Sequence, residues 1–228
     1  MKWRILFFLL VHSILIHAQD ADKLIKEVKA KLNTVKDYQA TGKLKTDVAF
    51  LKLPISKVQV YYKNPNQFKI KKDGGISLLP KNGMSINLNN LLMQEQFVAV
   101  AAGTVTLNSI LVKVIKLLPL VENSDLVLTT LYIDDKKLLI LKATSTTRDN
   151  GTYDMEFQYG KFAQYGLPDK VVFSFQTKDY KLPKGITFEY ESGDIAKAAA
   201  KSKDKKGKVE ITYDQYIINK GLTDQVFR

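Results

Sequence analysis

The chain has 228 residues, 35 Lys and Arg against 23 Asp and Glu, a formal net charge of +12, and no cysteine. Disulfides, thiolate catalysis and thiolate metal sites are thereby excluded. The two histidines, His12 and His17, and the one tryptophan, Trp3, all fall in the first 18 residues, so if that segment is removed, no His-based general base or Ser-His pairing remains.

That segment reads as a leader for export. Lys2 and Arg4 precede an apolar run from Ile5 to Ile16, and His17-Ala18-Gln19 supplies a small residue before the expected cut. The run is too short for a stable membrane span. Cleavage after Ala18 leaves residues 19–228 with Lys2 and Arg4 gone, so the net charge becomes +10. The absence of cysteine denies the new N-terminus an acylation site, so a soluble protein is expected, and the length suits one large β domain or at most two small ones.

From Asp22 to Tyr38, Leu24, Ile25, Val28, Leu32 and Val35 recur at spacings of three and four, which predicts an amphipathic helix whose apolar stripe must pack on something. The period then changes to two. Strands are expected over Gln39 to Phe50, over Val58 to Tyr62 after a Leu53-Pro54 break, and over Gln67 to Lys72 after the turn Asn64-Pro65-Asn66. Asp73-Gly74-Gly75 ends this meander.

Residues 88–121 are rich in Leu, Val and Ala. Leu107, Ile110, Leu111, Val114, Ile115 and Leu118 keep helical spacing up to Pro119, and a helix is expected there, either as plain core or as a lid over an open barrel mouth. Lys113 and Lys116 interrupt any membrane span.

Alternation resumes with Leu126, Leu128, Thr130 and Tyr132, then a turn at Asp134-Asp135 and a return over Lys137 to Ala143. Asn150-Gly151 is the strongest short hairpin signal in the chain. Met155, Phe157 and Tyr159, then Val171, Phe173 and Phe175, then Phe188 and Tyr190, and finally Val209, Ile211 and Tyr213 mark further strands. About ten strands in hairpin order, with two helical insertions, predict a mainly β chain with helices: one antiparallel sheet curling on itself. Residues 195–208, IAKAAAKSKDKKGK, read as a solvated hairpin tip or as an electrostatic contact with an acidic partner or membrane surface through Lys201, Lys203, Lys205 and Lys206. Lys dominates this run and aromatics are few, so nucleic acid is not the expected partner.

Several segments resemble LolA-like outer-membrane lipoprotein carrier and sorting proteins of the Gram-negative envelope. They are the leader followed at once by the helix Leu24 to Val35, then Tyr38-Gln39-Ala40-Thr41-Gly42, then Val60-Tyr61-Tyr62-Lys63-Asn64-Pro65-Asn66-Gln67-Phe68-Lys69-Ile70, and the closing Tyr216-Ile217-Ile218-Asn219-Lys220-Gly221-Leu222 with Phe227. The resemblance implies an unclosed half-barrel with an apolar hollow under a helical lid, carrying lipid or acylated lipoprotein across the periplasm. It also implies an inner-membrane extractor, an outer-membrane receptor, transient contact with the membrane surface and a monomeric carrier. The family's strand arginine that latches the lid has no counterpart, because no arginine stands between Asp22 and Arg148.

The expected lining is Val58, Val60, Tyr62, Phe68, Ile70, Leu126, Leu128, Leu138, Ile140, Phe157, Phe173, Phe175, Phe188 and Tyr190, with Leu107, Ile110, Leu111, Val114 and Leu118 above. For any one of them, plain core packing is the competing reading. Asp134-Asp135 and Gly74-Gly75 read as turns and not as an acidic pair or a phosphate loop, so no catalytic, metal or cofactor site is expected. A structural module with a filled hollow, docking an acidic envelope partner through the basic tip, is the alternative function.

Overall fold

The apolar stripe at the start of the chain folds as the spacing predicts. In the computed structural model, which describes residues 20–48, 51–52, 54–73, 92, 96–122, 124–149, 151–176 and 206–227, residues 20–32 form helix α1. Ala21, Ile25, Val28, Leu32 and Val35 are buried in one hydrophobic core. A helix this short is marginal alone. Packing holds it, at about 1.5–3 kcal/mol for each large aliphatic side chain removed from water.

After a turn at 33–36 the chain enters β1 (Asp37–Val48), β2 (Leu51–Lys52), β3 (Ser56–Lys63) and β4 (Gln67–Lys72). Then come β5 (Phe97–Leu107), β6 (Ile110–Pro119), β7 (Leu126–Asp134), β8 (Leu139–Thr147), β9 (Thr152–Gln158), β10 (Lys170–Gln176) and β11 (Lys206–Ile218). The sheet is antiparallel in the order β4-β3-β1-β11-β10-β9-β8-β7-β6-β5, with β2 paired to β1 off this path. Strands β4 and β5 end the path without pairing to each other, so the sheet is open, as a half-barrel requires.

One face is apolar and shared with α1. Its residues include Tyr38, Ala40 and Leu44 on β1, Val58, Val60 and Tyr62 on β3, Tyr153, Met155 and Phe157 on β9, Val171, Phe173 and Phe175 on β10, and Val209 and Ile211 on β11. Leu92, the one described residue of its segment, also lies in this core. The other face of the central strands is polar: Thr41, Lys43, Lys45 and Asp47 on β1 and Glu156 and Gln158 on β9 are exposed. This alternation is what one buried and one wet face demand.

The helix expected over residues 107–118 is not there. Those residues form a β-hairpin, β5 running into β6 through Asn108 and Ser109, whose φ values of 50° and 65° are those of a tight two-residue turn. The segment is apolar on both faces, so its spacing satisfies a helical template by accident. The β-branched Val105, Ile110, Val112, Val114 and Ile115 favour the strand. In β7 the expected phase is also wrong: Thr129, Leu131 and Ile133 are the buried residues, while Leu128, Thr130 and Tyr132 are only half-buried. Register shifts at Leu126/Leu128 and at Tyr132/Ile133 set this phase, and bulges of this kind leave no mark in the alternation.

Candidate functional site

Helix α1 is the cover of the apolar face among the described residues, and its hydrogen-bonded attachments gather at its C-terminal end. Lys31 Nζ donates to the Lys137 carbonyl at 2.7 Å. Asn64 Nδ2 donates to Asn33 Oδ1 at 3.0 Å, and the Asn64 amide donates to the Lys36 carbonyl at 2.8 Å. Asn219 completes the anchor: its Nδ2 donates to the Thr34 carbonyl at 2.9 Å, while its Oδ1 accepts the Lys36 amide at 2.6 Å. The Asp37 carboxylate accepts the amides of Lys220 and Gly221. The helix-to-β1 linker is thus tied to the turn after β3 and to the end of β11.

At the opposite end of α1, Asp20, Lys23, Leu24 and Glu27 face Ala101, Thr104, Lys113 and Ile115 of the β5–β6 hairpin and Asp135 of the β7–β8 turn across an open groove of about 490 Å³. Ala21, Leu24, Ala101, Val114 and Ile115 line it together with charged residues of both signs, a mixture that can meet both parts of an amphiphile. Further along α1, Lys29 Nζ sits 4.6 Å from the centroid of the Phe97 ring on β5. Burial lowers the Lys29 pKa from its ordinary value, and that of Lys31 too, the latter partly offset by Asp134.

The structure brings most of the expected lining to the α1 side of the sheet. Val58, Val60, Tyr62, Ile140, Phe157, Phe173 and Phe175 are buried in the one core, and Phe68, Ile70, Leu126 and Leu138 pack against it. Leu128 is half-buried. The five residues assigned to a lid are placed differently: Val114 is buried, Leu107 is half-buried, and Ile110, Leu111 and Leu118 are exposed on strands and cover no hollow. Phe188, Tyr190, Lys201, Lys203 and Lys205 lie outside the described residues, while Lys206 is exposed at the start of β11. The groove residues Lys23, Ala101, Thr104 and Lys113 escaped the sequence reading, because nothing in the chain signals that residue 23 will meet residue 113.

The other candidate motifs resolve into structural roles. Asp134 Oδ1 accepts the amides of Lys136 and Lys137, each at 3.1 Å, closing the β7–β8 turn. Arg148 is not a helix latch: its Nε donates to the Ser124 carbonyl at 3.0 Å and its Nη2 to the Glu122 carbonyl at 3.1 Å, pinning the β6–β7 connection to the β8–β9 turn. No cluster of three potential metal ligands occurs among the described residues. No helix among them is long and apolar enough to cross a membrane.

The segments that carried the family resemblance are neighbours in space. Tyr38 pairs with Tyr62 on one side and Ile218 on the other, and Ala40 pairs with Val60 and Tyr216. Tyr62 pairs in turn with Phe68. The Tyr38 ring lies 5.3 Å from that of Tyr62 in a tilted pair and 5.3 Å from that of Tyr216 in an edge-to-face pair. Tyr216 Oη donates to the Pro168 carbonyl at 2.8 Å.

No protein-family model and no curated protein matches the sequence. Solved structures do match the fold. A LolA superfamily protein from Nitrosomonas europaea aligns with a TM-score of 0.60 at 10% identity over 91% of this chain and 97% of its own. A DUF1329 family protein from Desulfovibrio piger aligns at 0.59 and 11% identity over 93% and 97%. A candidate outer membrane lipoprotein-sorting domain from Vibrio parahaemolyticus aligns at 0.56 and 13% identity over 92% and 97%. The chain therefore has the LolA-like fold, as the residues of β1, β3, β4 and β11 led one to expect.

Proposed function

We propose that this protein is a non-catalytic periplasmic carrier, exported by a cleaved leader, that holds the acyl chains of a lipid or lipid-modified protein against the apolar face of its open sheet. The observation that carries this reading is the arrangement of α1. It is tethered by hydrogen bonds at residues 31–37, whereas its first two turns stand at the mouth of a groove beside the hairpin β5–β6 at the end of the sheet. Apolar contact is non-directional, so an acyl chain can replace the contacts α1 makes with the sheet at little net cost. Each buried methylene contributes about 0.8 kcal/mol, which is the driving force for loading. The backbone ladder need not break, because the groove lies between α1 and the paired strands β5 and β6 and not within a strand pair. The helix, pivoting at 33–36, then does what the sequence reading assigned to residues 107–118.

The test is titration of the mature protein with a fluorescent fatty acid. Leu24→Asp and Ala101→Asp, each placing a carboxylate at a half-buried position on the groove, should weaken binding about tenfold or more while leaving the far-ultraviolet circular dichroism unchanged. Unaltered affinity in both variants, or no binding by the wild type, would refute the reading.

A further inference from the structure

The hairpin β5–β6 breaks the rule that the rest of the sheet obeys. The pairs Val98↔Leu118, Val105↔Val112 and Leu107↔Ile110 place these residues on the face turned away from the core residues Ala99, Ile115 and Leu117; on that face Val112 and Val114 are buried, while Val98, Val100, Val105, Ile110 and Leu118 are exposed. On the central strands that outer face carries Lys, Thr, Asp and Glu, yet here it carries Val, Leu and Ile, with Lys116 among them. Val98 is 47% exposed, Val100 43% and Leu118 43%. The connection that follows adds Leu120 and Val121, held in place by the hydrogen bonds from Arg148 to the Glu122 and Ser124 carbonyls. Apart from Ile55 and Ile217, every exposed large apolar side chain among the described residues lies between Val98 and Val127. Scattered exposed Leu or Val needs no explanation, but a contiguous patch at one end of a sheet does.

We infer that this face docks on an anionic lipid bilayer. Charge complementarity is the first argument: residues 96–121 contain no Asp or Glu, and of their two exposed lysines Lys116 lies on this face, while Lys113 lies on the opposite face and lines the groove. Such a lysine is drawn to anionic head groups while the aliphatic side chains enter the layer beneath. Residue type is the second. The patch lacks Trp, Tyr and Arg, which dominate protein hot spots, and includes Lys, which protein interfaces avoid. The third is the edge itself. The β5 ladder is broken by a register shift between Ala101 and Thr104, with Gly103 at φ 88°, a device that discourages a second chain from adding a strand there. The surface is separate from the groove, so it would bring the carrier to the membrane without taking part in holding the cargo.

Flotation of the mature protein with vesicles tests this. The wild type should float with phosphatidylethanolamine–phosphatidylglycerol vesicles, much less with phosphatidylcholine alone, and salt should reduce the bound fraction. The triple variant Val98→Ser, Val100→Ser, Leu118→Ser should float about tenfold less while keeping its circular dichroism and its affinity for the fatty-acid probe. Lys116→Gln should weaken only the phosphatidylglycerol-dependent share. If the triple variant misfolds, Val98→Ser alone replaces it, with a smaller loss of the same sign. A wild type that ignores anionic vesicles, or patch variants that float as well as it does, would overturn the inference. So would self-association of the wild type in sedimentation experiments that the patch variants abolish, since the occupant would then be a second copy. Loss of probe binding with flotation intact would count against the carrier reading instead.

Discussion

Gly42→Val is expected to destabilise the protein by at least about 3 kcal/mol, a large share of a stability that for a single domain is on the order of 5–15 kcal/mol. Gly42 lies where β1 shifts register against β11, between Thr41 and Gly42, and a Cβ built there collides with the backbone of Thr212 and Tyr213. Those are main-chain atoms of a central strand. They cannot rotate away, so the two strands must separate. Because β1 also pairs with β3, the cost spreads through both ladders. Gly42→Ala should show the same sign with a smaller magnitude. Urea unfolding of the two variants beside the wild type measures this, and a shift within about 0.5 kcal/mol for Gly42→Val would contradict the account.

The second large effect is alkaline. Burial raises the phenol pKa of Tyr38 and Tyr216 well above the ordinary value, and neighbouring phenols add to the shift in both. Tyr159 and Tyr213, half-buried, shift the same way by desolvation. A raised pKa in the folded state means that folded phenols keep their protons while unfolded ones lose them above pH about 10. The unfolded state then binds fewer protons than the native state, so stability is fully present below that pH and falls as pH rises. Each fully buried phenol contributes a slope of about 1.4 kcal/mol per pH unit, so Tyr38 and Tyr216 together give nearly 3. Lys29, Lys31 and Lys72, whose pKa values burial lowers, act in the opposite sense, but they keep most of their solvent and offset little. Urea midpoints at pH 9 and pH 11, with tyrosinate absorbance followed alongside, check this. Phenol ionisation at its ordinary pH without unfolding would place these rings in water.

Much of this architecture was legible because one-faced burial writes a clear period. Helix α1 announced itself through Ile25, Val28, Leu32 and Val35, and β1, β3, β4, β9, β10 and β11 through alternation. The resemblance rested on Tyr38–Gly42, Val60–Ile70 and Tyr216–Leu222, and those segments prove to be hydrogen-bonded neighbours, with Gly42 serving the closest approach of two strands. The hairpin β5–β6 was misread for a physical reason. Apolar residues on both faces erase the period of two, and Asn108-Ser109 is a quieter turn signal than Asn150-Gly151. The same two-faced apolarity that hid the strands is what sets this hairpin apart as a surface. The groove was invisible for a different cause: it joins residues 20–27 to 101–115 and 135, a juxtaposition that only the folded sheet creates.

The central claim is that an acyl chain shares the apolar face with α1, and native mass spectrometry of the mature protein purified under gentle conditions from its own envelope tests it most directly. The account predicts peaks heavier than the bare polypeptide by the mass of an acylated species, released by organic extraction and absent from Leu24→Asp. A single species at the polypeptide mass, with nothing recovered on extraction, would contradict it.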